Sequence, residues 1–164
     1  SDVYKRQVLD MTIEDSLKFF ENSKTIINKL RPLNDVGLGY LKLGQSSSTL
    51  SGGEAQRLKL ASYLIQDNKV SKNNSLFIFD EPTSGLHNMD IENFMKSVND
   101  LIARDNSVII IEHNTELIKQ ADWIIDLGPG GGENGGTICF EGEPTELVNT
   151  NNNKTGKYLR KMFV

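Results

Sequence analysis

The chain has 164 residues, 37% of them hydrophobic and 24% charged, enough to bury a real core in one domain. Its formal charge of −4 offers no overall attraction to DNA or anionic lipid. A single cysteine, Cys139, rules out an internal disulfide and a cysteine-rich zinc site made by this chain alone, and the aliphatic runs are too short to span a bilayer.

The first seven residues, SDVYKRQ, stand apart from the rest of the chain. Asp2 to Gln7 reads as a translation of the transposase adapter GAT-GTG-TAT-AAG-AGA-CAG, so residues 1–7 are expected to be non-native. Thr12 and Asp15 mark a helix start, with Ile13, Leu17 and Phe20 at helical spacing. A second helix around Ile26, Ile27 and Leu30 runs up to Pro32. Gly37, Gly39 and Gly44 then punctuate the chain, and Ser46 to Ser48 lead into TLSGGEAQRLKL, Thr49 to Leu60. Ser51 and Glu54 form an S-x-x-E capping box, and the helix from Gly52 is expected to bury Ala55, Leu58, Ala61 and Ile65. Paired glycines in that first turn cost up to about 1 kcal/mol each relative to alanine.

After a polar loop, Asp67 to Asn74, strands and helices alternate. Leu76 to Phe79 is continuously apolar, as expected for a strand covered on both faces. Ile91, Phe94, Met95, Val98, Leu101 and Ile102 form a helical stripe. Val108 to Ile111 reads as a second buried strand, followed by a short helix near Glu116 to Gln120. Trp123 to Leu127 and Thr137 to Phe140 read as further strands, and Asn149 to Asn153 as a solvated loop before a last helix with Tyr158, Leu159 and Met162. Strand–helix–strand order implies an α/β fold with a mostly parallel sheet flanked by helices.

In such sheets ligands bind outside the carboxyl ends of the strands. Here one strand ends in Asp80-Glu81-Pro82 and the next in Glu112-His113. If the strands are parallel neighbours, three carboxylates and an imidazole share one rim. Asp80 is then a candidate Mg²⁺ partner, directly or through water, and Glu81 a base that orients attacking water. His87, in the turn Ser84 to His87, could face the same edge. Two histidines and several acids also leave a catalytic metal site open as a rival. The glycines after Ser51 gain a role too, because a helix N-terminus without Cβ atoms lets a phosphate approach its free N–H groups. Gly130 to Thr137 mimics a GxxxxGK[ST] loop, but Gly136 stands where the lysine must be, and no true loop of that kind is visible.

Together LSGGEAQR (Leu50 to Arg57), LFIFDEP (Leu76 to Pro82), SGLH (Ser84 to His87) and IEHN (Ile111 to Asn114) resemble the signature, Walker B, D-loop and switch-histidine motifs of ABC-type ATPases. VLDMTIED, DVGLGYLKLGQ, DEPTSGLH, IIIEHN and ADWIIDLGPGGG are similar to the C-terminal part of the UvrA family, the damage-recognition ATPases of bacterial nucleotide excision repair. The resemblance runs from Val8 to the C-terminus. It implies a partial ABC ATPase domain with a helical signature subdomain, residues 8–45 leading out of an upstream insertion and 46–164 forming the core.

The resemblance also implies roles. ATP would lie between two ATPase modules. Ser51, Gly52, Gly53, Glu54 and Gln56, with Ser84, Gly85 and His87 at the module interface, would bind nucleotide, the first three reaching the γ-phosphate of an ATP held by another module. Asp80 would serve Mg²⁺, Glu81 catalysis, and His113 would sense the γ-phosphate. The Walker A loop and zinc modules of the family are missing, so this chain is expected to be a fragment of the second ATPase module, inactive alone. The implied partners are the other ATPase module, a homodimer, UvrB and damaged double-stranded DNA, with no membrane and a cytoplasmic location. A transporter or SMC-like ATPase, or a non-catalytic interaction fragment, are the competing readings.

Overall fold

Thr12 starts the first well-capped helix because its hydroxyl satisfies a free N–H: Oγ1 accepts from Asp15 N at 3.0 Å and donates to Asp15 Oδ2 at 2.7 Å. The computed structural model describes residues 2–66, 74–130 and 135–162, which group into two compact units, Ser1–Glu112 and His113–Val164. Residues 67–73 of the expected loop at Asp67 to Asn74, and residues 131–134 of the Gly130 to Thr137 stretch, lie outside the described residues.

The first unit opens with helices α1 (Asp2–Asp10), α2 (Ile13–Phe19) and α3 (Lys24–Leu33). Helix α1 buries nothing and runs across the boundary expected at Val8. Pro32 sits inside α3 rather than ending it, and the chain leaves through a wide turn, Asn34–Leu38, where Gly37 takes φ 78°. A left-handed residue is needed there, and glycine meets that need without a steric penalty. Val36 and Leu38 from this turn are fully buried.

Helix α4 (Gly52–Gln66), strand β1 (Leu76–Asp80), helix α5 (Asn88–Ile102) and strand β2 (Ser107–Ile111) complete the unit. The two strands pair in parallel, Leu76 opposite Ser107 through Asp80 opposite Ile111, as the strand–helix–strand order requires. Helix α5 buries Ile91, Phe94, Met95, Val98 and Leu101, while Ile102 lies at its exposed end. Phe79 meets Phe94 edge-to-face at 6.0 Å, and Phe77 meets Tyr63 of α4 at 4.8 Å.

Two expectations need correction here. Among the described residues of this unit the sheet is covered on one face only: Leu76, Ile78, Ile109 and Ile111 are exposed. Side chains alternate along a strand, and α4 and α5 serve the face of Phe77 and Phe79. The inner stripe of α4 is also rotated. Arg57, Leu60 and Ala61 are buried, Leu58 and Ile65 are half-buried, and Ala55 is exposed. Main-chain carbonyls that draw Arg57 inward set that rotation.

The second unit holds α6 (Thr115–Ile118), strands β3 (Ile124–Gly128) and β4 (Thr137–Gly142), and helices α7 (Pro144–Asn149) and α8 (Lys154–Leu159). Strands β3 and β4 pair antiparallel, with an irregularity between Asp126 and Leu127. Ile124, Leu147 and Leu159 form its core, with Phe140 and Ile118 against them. Asp126 ties strand to helix, accepting from Asn153 Nδ2 at 2.8 Å and Thr155 Oγ1 at 3.0 Å. Helix α7, with its capping box of Glu143 and Glu146, is not among the elements expected from the sequence. None of the described helices is long and apolar enough to cross a membrane.

Candidate functional site

The start of α4 is capped as its sequence predicts. Ser51 N donates to Glu54 Oε2 at 2.7 Å, and Glu54 N donates to Ser51 Oγ at 3.3 Å. The Tyr40 hydroxyl donates to Glu54 Oε1 as well. That hydrogen bond, then the one from Ser51, holds the Glu54 carboxyl below its ordinary pKa. Burial, and then the same carboxylate, raises the Tyr40 phenol. The two glycines after Ser51 are not equivalent. A Cβ on Gly52 would meet nothing within 4 Å. A Cβ on Gly53 would stand 3.4 Å from Glu81 O, 3.7 Å from Pro82 O and 3.3 Å from Arg57 Nη1. Gly53 faces the turn after β1, whereas Gly52 is open to an outside group.

That turn carries the acids. Asp80 ends β1, and Glu81 prolongs the ladder by donating its N–H to Ile111 O at 2.9 Å. Glu81 does so at φ 48°, a left-handed value unusual for a residue with a Cβ. Both acids are exposed. The turn is braced from two sides. Glu112, at the end of β2, accepts from Thr83 N at 2.9 Å and from the Thr83 hydroxyl. On the other side, Gln56 pairs with the main chain of Asp80 and Arg57 with Pro82 and Ser84. Ser84, Gly85 at φ 78° and His87 form an exposed loop into α5, and the carbonyl of His87 accepts from Asp90 N and Ile91 N.

The first unit therefore brings together Ser51, Gly52, Gly53, Glu54, Gln56, Asp80, Glu81, Ser84, Gly85 and His87 on elements that touch one another. His113 is the first residue of the second unit and is exposed, just ahead of Asn114, whose side chain caps α6 by accepting from Glu116 N at 2.9 Å. The side chains of Glu54 and Gln56 are engaged within the chain, and Glu112, counted as a rim acid, grips Thr83. Sequence reasoning missed Tyr40 and Arg57. Arg57 had a signal, since it falls in register with Leu60 and Ala61, and a charge in a buried stripe needs partners.

Among the described residues no group of three or more His, Cys, Asp or Glu side chains is placed to hold a metal ion. A lone strand-end carboxylate such as Asp80 does fit Mg²⁺, which is held by one or two carboxylates plus phosphate oxygens and water. The open backbone at Gly52 fits an anion.

No protein-family model matches the chain. It is 52% identical over 156 residues to the UvrABC system protein A of Mycoplasmopsis pulmonis, a match covering 95% of this chain and 16% of that protein. The UvrABC system protein A of Staphylococcus aureus (strain COL) is likewise 52% identical over 156 residues, with the same two coverages. Among solved structures, UvrA2 from Deinococcus radiodurans superposes with a TM-score of 0.77 at 39% identity, covering 94% of this chain and 18% of that one. The chain thus spans about a sixth of the length of these relatives. On these grounds the chain belongs to the UvrABC system protein A family and corresponds to one segment of its members.

Proposed function

We propose that this chain supplies part of the second ATPase module of a UvrABC system protein A. In the whole protein that module couples ATP binding and hydrolysis to recognition of damaged double-stranded DNA and to loading of UvrB, within a UvrA homodimer. The observation that carries the reading is the pairing of an open helix start at Gly52 with a braced acidic turn at Asp80 and Glu81, inside a chain 52% identical to named members of the family.

In this reading the residues form two half-sites. Ser51 presents its hydroxyl and Gly52 its backbone N–H, at the positive end of α4, to the γ-phosphate of an ATP bound by the other module. Gly53 serves the same face, beside the acidic turn. Glu54 keeps the start of α4 wound. Asp80 would hold Mg²⁺, directly or through water, and the ion would neutralise charge on the phosphates. Glu81 orients and accepts a proton from the attacking water. Ser84, Gly85 and His87 cross to the other module, and His113 reports the γ-phosphate. Residues outside this chain supply the lysine-bearing phosphate loop, so the chain alone hydrolyses no ATP.

The test uses a full-length Staphylococcus aureus protein in which this chain replaces the matching segment. The chimera is expected to hydrolyse ATP and to load UvrB on damaged duplex. Ser51→Arg in it should lower turnover by roughly a hundredfold, since bulk at an oriented phosphate contact misplaces the reacting groups. A chimera without hydrolysis beside an active parent, or a Ser51→Arg variant at the parental rate, contradicts the assignment.

A further inference from the structure

Two neighbouring side chains of α4 end on the main chain of the acidic turn. Gln56 behaves there as the edge of a strand would: Nε2 donates to Asp80 O at 3.0 Å, and Oε1 accepts from Asp80 N at 2.9 Å. Arg57, only 1% exposed, donates through Nη1 to Pro82 O at 2.6 Å and Ser84 O at 3.2 Å. The Nε of Arg57 is buried without a partner. The three carbonyls belong to residues 80, 82 and 84, so the clasp closes on both sides of Glu81.

Such a cation is a poor choice for stability alone. Burying a charge costs free energy unless the group is paired and hydrogen-bonded. What Arg57 and Gln56 provide is directional grip on a backbone that holds Glu81 at φ 48°. Gly53 faces the same turn, its Cβ position 3.4 Å from Glu81 O and 3.3 Å from Arg57 Nη1.

We infer that Gln56 and Arg57 are positioning residues for Glu81, joining the helix start that meets one nucleotide to the turn that serves another. Through these bonds the helix that begins at Ser51 and Gly52 holds the backbone of residues 80–84, and with it the base. This inference rests on the function proposed above.

The experiment uses the same full-length chimera, with ATP as the probe. Gln56→Ala and Arg57→Met are expected to lower kcat roughly tenfold or more while KM for ATP stays within about threefold, because the reacting groups and not the binding surface are displaced. Gln56→Glu keeps an acceptor for Asp80 N but loses the donor to Asp80 O; it should show an intermediate loss and carries the test should Arg57→Met fail to fold. The deciding measurement is single-turnover hydrolysis in a double-mutant cycle. In the Glu81→Gln background, Gln56→Ala should cost less than about twofold, since the clasp acts through Glu81. Equal losses with and without Glu81 would assign the pair a purely structural role and overturn the inference. Parental kcat in all three variants of an active chimera would overturn it too, leaving the proposed function standing. An unsubstituted chimera that hydrolyses nothing beside an active parent overturns both.

Discussion

At the scale of single residues, Gly52 and Gly53 look alike in the sequence and differ in the fold. Gly52→Ala meets open space and adds a better helix former, so it should raise stability by up to about 1 kcal/mol. The same change should slow turnover in the chimera by placing a methyl where a phosphate approaches. Gly53→Ala must push Arg57 Nη1, 3.3 Å away, and should gain nothing or lose stability. Urea midpoints of the three proteins check the order. Glu54 makes a pH prediction. Its carboxyl is lowered by Tyr40 and Ser51, so the contribution is complete above the unfolded carboxylate range, about 4.3, and is lost as pH falls through the lower folded value. Glu54→Gln should flatten that acid arm of a stability–pH curve; an unchanged arm would discount the cap. The capping box was legible because it is local, three residues apart. The Tyr40 hydrogen bond spans 14 positions, and no sequence pattern marks it.

At the scale of elements, periodicity placed α5 well, since Ile91, Phe94, Met95, Val98 and Leu101 repeat at the helical interval and all are buried. Phe94, fully buried against Phe79, should cost about 3–5 kcal/mol as Phe94→Ala, read from the denaturation midpoint. A loss under about 1 kcal/mol would mean that this face of the sheet is packed differently. Periodicity misplaced the inner stripe of α4 because its deepest side chain is a cation. A hydrophobic template assigns arginine to solvent, and only carbonyls 25 and 27 positions away reverse that assignment. The antiparallel pairing of β3 with β4 escaped for a related reason: short apolar runs give strand identity, while partner and direction depend on the turn between them.

At the scale of the molecule, the acidic rim could be anticipated because residues at the carboxyl ends of parallel strands are brought together by topology alone. The exposed sheet face of Leu76, Ile78, Ile109 and Ile111 could not, since a strand's sequence states its affinity for cover and not what covers it. Its apolar character is in keeping with a chain that spans 16% of its relatives' length. The central claim is that Glu81, held at the end of β1, is the base of an ATPase module completed by residues outside this chain. Glu81→Gln in the full-length chimera tests it most directly, with nucleotide binding and single-turnover hydrolysis measured on the same sample. The expected result is ATP affinity within about threefold of the parent and hydrolysis slowed by a factor on the order of 100 or more. Hydrolysis at the parental rate would contradict it.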